Sequence, residues 1–274
     1  MQDNQLPELK KIEIEMLQKL VEICDINKIT YYLGDGSLLG AVRHRGFIPW
    51  DDDIDVLMPY EDYKRFLEIA PSQLGDDYFL QTTKTDKNWY RLYATIRKSN
   101  TAMIQNPAYH VNQGIWLDIF IIGNARTKFE CRVQKIMVQF FNYILMDHYM
   151  KINSGEFKKK LAYIGYWIFQ LFYCIPWKWR YAMRRRILDQ ICKSKGGKLF
   201  PVIWCSITDV YSADCFEGEP TFVEFEGAKY KAPHNKDLFL RTQYGENYMT
   251  PIKWERGHEN IQVDLEHSYS EFLK

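Results

Sequence analysis

Asp51-Asp52-Asp53-Ile54-Asp55-Val56-Leu57-Met58 sets four carboxylates directly before an apolar, strand-like run. Unit charges about 4 Å apart repel by about 4 kcal/mol at an effective dielectric of about 20, so such a run against a hydrophobic strand calls for a counter-charge. A divalent cation is the usual one. On a strand, alternation sends Asp53 and Asp55 to one face and Asp52 to the other, so Asp52 is expected to matter least. Two alternatives compete. Asp51, Asp53, Asp55 and Asp62 follow the spacing of a calcium loop, but Val56 stands where that turn needs glycine. A solvated acidic turn without metal leaves Asp118 unexplained.

Asp118 lies in Trp116-Leu117-Asp118-Ile119-Phe120, where a lone buried carboxylate is costly. Asp53, Asp55 and Asp118 together suit Mg²⁺ or Mn²⁺, hard ions that prefer carboxylate and phosphate oxygens. Upstream, Gly36-Ser37 offers backbone N–H groups at a helix start, a ready anion site, and Arg43, His44 and Arg45 add positive charge nearby. A strand, a Gly-Ser turn, a helix, D-x-D on the next strand and a further Asp on a later one match nucleotidyltransferase-type phosphoryl chemistry. Besides His44, the lone histidines His110, His148, His234 and His267 carry less weight than His258, which in the polar Arg256-Gly257-His258 stretch is a candidate contact for phosphate or acceptor.

The chain of 274 residues is 46% apolar and 26% charged, with net charge +1, so no global basic field argues for a nucleic-acid partner. The six cysteines show no C-x-x-C pair and read as reduced thiols. Met1 to Lys11 is polar and lacks the apolar stretch of a secretory signal, so a cytoplasmic location is expected.

Helical spacing predicts an opening helix over 8–27, and strand-type runs follow at Thr30–Leu33, Ile54–Met58, Tyr78–Thr82, Tyr90–Arg97 and Ile115–Ile122. Helices are expected at Leu38–His44, Tyr60–Ile69 and Asn235–Tyr244, and a hairpin turns at Glu226-Gly227. The predicted class is α+β, a mixed sheet covered by helices, with a helical insertion. Residues 1–124 form its catalytic core, 125–195 the insertion, and 196–274 complete the catalytic unit. Within the insertion, Leu161–Trp177 carries no charged residue, is rich in aromatics and has basic borders. A membrane-interface helix is the favoured reading, a buried core helix the second, and a spanning helix the last.

Gly36 through Val56, read as a whole, closely resembles the signature of the LicD family, related to fukutin and fukutin-related protein. Trp116–Phe120 resembles the family's later aspartate strand, and Phe225-Glu226-Gly227, Pro233 and Tyr244-Gly245 its C-terminal region. The resemblance implies a nucleotidyltransferase-type fold that transfers phosphocholine, or a related phospho-alcohol, from CDP-choline or another CDP-alcohol. The acceptor would be a sugar hydroxyl of a teichoic acid, lipopolysaccharide or other surface-glycan precursor, with CMP leaving. It assigns Asp53, Asp55 and Asp118 to the metal, Asp51 to an outer-ligand or base role, and Gly36 and Ser37 to the phosphate. No cysteine cluster matches a zinc site, so no structural zinc is expected. A lipid-linked acceptor would bring the enzyme to a membrane surface, with Leu161–Trp177 as the docking segment on the cytoplasmic face. Transfer of the nucleotidyl group itself, or a non-catalytic glycan-binding module, are the competing functions.

Overall fold

The computed structural model describes residues 5–145, 171–192, 199–203, 208–252 and 261–273. Its first helix, α1 (Leu6–Ile26), opens at Pro7 and buries Leu9, Glu13, Met16, Leu17, Leu20, Ile23 and Cys24 along one face. Strands β1 (Tyr32–Leu33) and β2 (Asp55–Pro59) pair antiparallel around α2 (Asp35–His44). Then come α3 (Tyr60–Gln73), β3 (Tyr78–Gln81), β4 (Ala94–Lys98), β5 (Ala102–Ile104) and β6 (Trp116–Ile122). Every residue of β6 is buried, as its unbroken apolar run around Asp118 requires.

β6 is the centre of a seven-stranded mixed sheet that runs β1-β2-β6-β4-β3. β2 lies parallel to β6 on one edge and β4 antiparallel on the other. β7 (Leu199–Ile203) pairs with β6 at Ile121 and Ile122, beyond the end of β4, and β8 (Thr208–Ser212) pairs with β7. The chain thus returns to its central strand after helices α4 (Lys128–Leu145) and α5 (Trp177–Cys192), which pack on each other. Helices α1 and α3 cover the sheet face that carries Val56, Met58, Ile119 and Leu80. A hairpin of β9 (Thr221–Phe225) and β10 (Ala228–Ala232), α6 (Lys236–Tyr244) and β11 (Gln262–Asp264), which pairs with β5, complete the unit.

Several boundaries differ from expectation. α2 starts at Asp35, not Leu38: Gly34 is its N-cap, so Gly36 and Ser37 belong to its first turn. Residues 90–93 are outside β4, whose strand begins at Ala94. α3 continues through Pro71 to Gln73. Of Leu161–Trp177, residues 161–170 lie outside the described residues. The remainder is not one continuous helix: Leu171–Cys174 is a 3-10 turn, and α5 begins at Trp177 after Pro176. No helix among the described residues is long and apolar enough to cross a membrane.

Candidate active site

Parallel pairing sets Asp55 opposite Asp118 in register, and antiparallel pairing sets Thr95 opposite Asp118, so the three side chains share one sheet face. That face is the one α1 and α3 leave uncovered. Thr95 Oγ1 donates to Asp118 Oδ1 at 2.6 Å, and the buried Arg97, next along the same face of β4, supplies positive charge near Asp118. Burial lowers the Arg97 pKa to about 10, an effect that Asp118 opposes.

Asp51, Asp52 and Asp53 precede the strand instead of belonging to it. β2 begins at Asp55, and Asp51 N–H closes a turn onto the Ile48 carbonyl at 2.9 Å. The alternation expected for Asp52 therefore does not operate. Asp52 is only 3% exposed, and one carboxylate oxygen each from Asp51, Asp52 and Asp53 lie within 4.8 Å of one another. Such a trio fits a hard divalent cation by its all-oxygen donor set.

The start of α2 closes on this group. Asp55 N–H donates to Ser37 Oγ at 2.9 Å, and Gly34 N–H to the Asp55 carbonyl at 3.0 Å. A Cβ on Gly36 would stand 2.6 Å from Asp51 Oδ2, so the glycine is what lets that carboxylate lie against the helix start. Gly40 has a similar task one turn on, where a Cβ would meet the Gly46 carbonyl at 2.4 Å and Ile48 N at 3.1 Å. From behind, Lys10 Nζ of α1 donates to the Ile48 and Pro49 carbonyls at 3.3 and 3.4 Å. From the side, Phe47 N–H donates to Glu226 Oε1 at 3.0 Å, which docks the β9–β10 turn onto the loop.

Four residues outside the expected set belong here. Asp35 is 3% exposed, sits at φ 43° and accepts from Gln243 Nε2 of α6. A positive φ on a non-glycine residue is strained, and such strain is concentrated at functional sites. Burial pushes the Asp55 pKa up, and Asp53, Asp35, Asp118 and Asp51 add to the rise. Glu13 of α1 has no exposed surface, and neither carboxylate oxygen has a hydrogen-bond partner among the described residues. Burial, then Asp53, Asp52 and Asp51, raise its pKa well above the ordinary carboxylate value. Its signal was in the sequence: Glu13 interrupts the apolar series Leu9, Met16 and Leu20 at helical spacing. The remaining two are Thr95 and Tyr244, which keeps 36% of its surface exposed while burial of its hydroxyl, then Asp35, Asp55, Asp51 and Asp53, push that hydroxyl's pKa up.

The basic residues of α2 divide. Arg43 donates from Nη1 to the Tyr248 carbonyl at 3.1 Å and from Nε to His44 Nε2 at 2.9 Å. Its Nη2 is buried with no hydrogen-bond partner among the described residues. Burial lowers both pKa values, and for His44 the Arg43 charge adds to the effect. Arg45 instead caps the helix at φ 57° and is exposed; its carbonyl accepts from Glu226 N–H at 2.9 Å. His258 lies outside the described residues.

Comparison with known proteins fits this geometry. Residues 28–150 match the family model described as LicD/FKTN/FKRP, nucleotidyltransferase domain. The chain is 40% identical over 79 residues to the lipopolysaccharide cholinephosphotransferase LicD of Haemophilus influenzae, 29% of this chain and 30% of that protein. It is 31% identical over 117 residues to an uncharacterised protein of Rickettsia prowazekii, 42% of this chain and 35% of the relative. The human ribitol 5-phosphate transferase FKRP is 34% identical over 61 residues, 22% of this chain and 12% of FKRP. The match therefore spans about a third or less of each relative's length. The segment from β1 through α4, with its paired aspartates, is thus similar to the nucleotidyltransferase domain of the LicD/FKTN/FKRP family model.

Proposed function

We propose that the protein is a metal-dependent transferase that moves phosphocholine, or a related phospho-alcohol, from a CDP-alcohol to a sugar hydroxyl of a cell-surface glycan precursor. The observation that carries this reading is the register pairing of Asp55 with Asp118, beside Asp51–Asp53 and beneath the start of α2. Support comes also from the named relatives, a cholinephosphotransferase and a ribitol 5-phosphate transferase.

In this reading Asp53, Asp55 and Asp118 would hold Mg²⁺ or Mn²⁺, with Asp51 and Asp52 beside it through their closeness to Asp53, and the metal would neutralise the donor's diphosphate charge. Backbone N–H groups in the first turn of α2, at Gly36 and Ser37, face a phosphate oxygen; the helix leaves its first N–H groups without intrahelical partners. The Ser37 hydroxyl already serves Asp55 N–H, so its part is to fix Asp55. Arg43 and His44 contribute donors on the substrate side. The acceptor oxygen attacks the phosphorus that carries the alcohol, its bond to the CMP oxygen breaks, and Asp51 accepts the acceptor's proton. CMP and a sugar phosphodiester are the products. Docking of a lipid-linked acceptor through Leu161–Trp177 belongs to the same proposal. Charging Trp167 and Phe169 is then expected to shift the protein from membranes to the soluble fraction, and unchanged partitioning would refute that part.

The test is incubation with Mg²⁺, a glycan acceptor and, in turn, CDP-choline, CDP-ribitol, CDP-glycerol and CDP-ethanolamine. CMP release with one of them is expected. Pyrophosphate release, or a product bearing the nucleotide, would overturn the reading in favour of nucleotidyl transfer.

A further inference from the structure

On the helix-covered side of the sheet lies a cavity of about 430 Å³ between α3, the Thr82–Thr85 turn and α5. Leu80 of β3 lines it, whereas the next residue, Gln81, points to the opposite face and accepts from Arg97 Nε at 2.7 Å. The cavity and the aspartate row therefore belong to different faces of one sheet.

Four cations, Lys64, Lys84, Arg184 and Arg185, and a single carboxylate, Glu68, line this space. Lys64 pairs with Glu61 at 2.7 Å. Lys84, Arg184 and Arg185 make no ion pair among the described residues. Arg184 is the informative one. It is 5% exposed, and its guanidinium donates to Thr83 Oγ1 and to the Tyr90 carbonyl, both neutral acceptors. Burial lowers its pKa to about 10, opposed by Tyr181 and Tyr63. By contrast the deeply buried guanidinium of Arg97, on the sheet, has Asp118 and Asp86 acting in its favour. A buried charge is ordinarily compensated by an opposite one, and among the described residues Arg184 pairs with none.

We propose that this cavity binds a phosphate ester. Guanidinium forks and ammonium groups suit phosphate oxygens, and the excess of cations over carboxylates suits the charge of a phosphate. The volume falls in the range of small-molecule sites and exceeds what a bare phosphate fills. The ester's organic part packs against Tyr60, Tyr63 and Leu188. Two sources offer the chemistry, a soluble phosphorylated metabolite and the headgroup of an anionic phospholipid. The inference does not rest on the transferase reading.

Full-chain protein and a Lys84→Glu, Arg185→Glu double variant test it; both residues are exposed, so the fold is retained. Glycerol 1-phosphate is titrated by calorimetry, and co-sedimentation is measured with phosphatidylglycerol and with phosphatidylcholine vesicles. The wild type is expected to bind glycerol 1-phosphate or phosphatidylglycerol vesicles at least about tenfold more tightly than the double variant, and phosphatidylcholine weakly. Loss confined to the soluble ester identifies a metabolite site, and loss confined to phosphatidylglycerol identifies a headgroup site. No binding of either probe by the wild type, or equal binding by the variant, overturns the proposal.

Discussion

The aspartate row and the basic cavity are charge excesses of opposite sign on opposite faces of one sheet, and the fold supports them differently. Asp51–Asp55 are held by main chain: the Ile48–Asp51 turn, the start of α2, and the pairing of β2 with β6. Arg184 is held by its own side chain, which reaches from α5 to Thr83 and Tyr90. Main-chain support fixes the Cα positions of the crowded carboxylates, so side-chain rotation alone does not disperse the row. Side-chain support makes the basic cavity dependent on how α5 sits against α3. The first arrangement suits a site whose geometry must be fixed before its ligand arrives.

The largest expected effect comes from removing charge on the acidic face. Asp53→Asn with Asp55→Asn is expected to lower CMP release by about a thousandfold or more, as loss of groups that stabilise transition-state charge does. The same change should stabilise the metal-free protein, because it relieves repulsion felt at Asp55. A gain of about 1 kcal/mol would raise Tm by about 2–4 °C in a protein of this size. Loss of both activity and Tm would instead mean that the carboxylates are structural.

Next is the backbone support itself. Gly40→Ala puts a methyl group against the Gly46 carbonyl and Ile48 N, neither of which can swing away. A cost of about 1–3 kcal/mol, read as a lowered denaturation midpoint, is expected. Gly36→Ala meets the movable Asp51 carboxylate, so it should spare stability more than turnover.

Glu13 sharpens the comparison through pH. The folded-state pKa values of Glu13 and Asp55 both lie above their ordinary ones, so folding takes up protons as these groups become buried. Metal-free protein should therefore lose stability as pH rises through those raised values. It should regain stability as pH falls toward the ordinary carboxylate range. Glu13→Gln is expected to flatten the profile and raise Tm most at alkaline pH; an unchanged profile would mean that Glu13 has a compensating partner. The smallest effect is expected at Arg45, exposed on the helix cap and acting through its carbonyl. Arg45→Ala should change stability by less than about 0.5 kcal/mol.

Much of the acidic face was legible because its residues are contiguous. Asp51 to Met58 declared both the charge and the strand, and β6 was recognisable as a buried apolar run holding Asp118. The hairpin at Glu226-Gly227 followed from its turn residues, which take φ 49° and 79°. What escaped was tertiary. Asp52 was assigned by strand alternation, yet the strand starts three residues later, and only the turn from Ile48 decides where its carboxylate goes. Asp35, just before the Gly36-Ser37 helix start, is located in the site only by Gln243 and by its share in the raised Asp55. The basic cavity gathers residues from α3, the Thr82–Thr85 turn and α5, and no local pattern joins Lys64 to Arg184.

Calorimetric titration of the metal-free protein with Mn²⁺, beside the Asp53→Asn, Asp55→Asn variant, tests the central claim that the aspartate row awaits a divalent cation. Saturable binding by the wild type that is lost in the variant is the predicted result. At a hundredfold excess over Kd, such binding would add about 2.7 kcal/mol to stability. Equal Mn²⁺ binding by both proteins, or none by either, would contradict it.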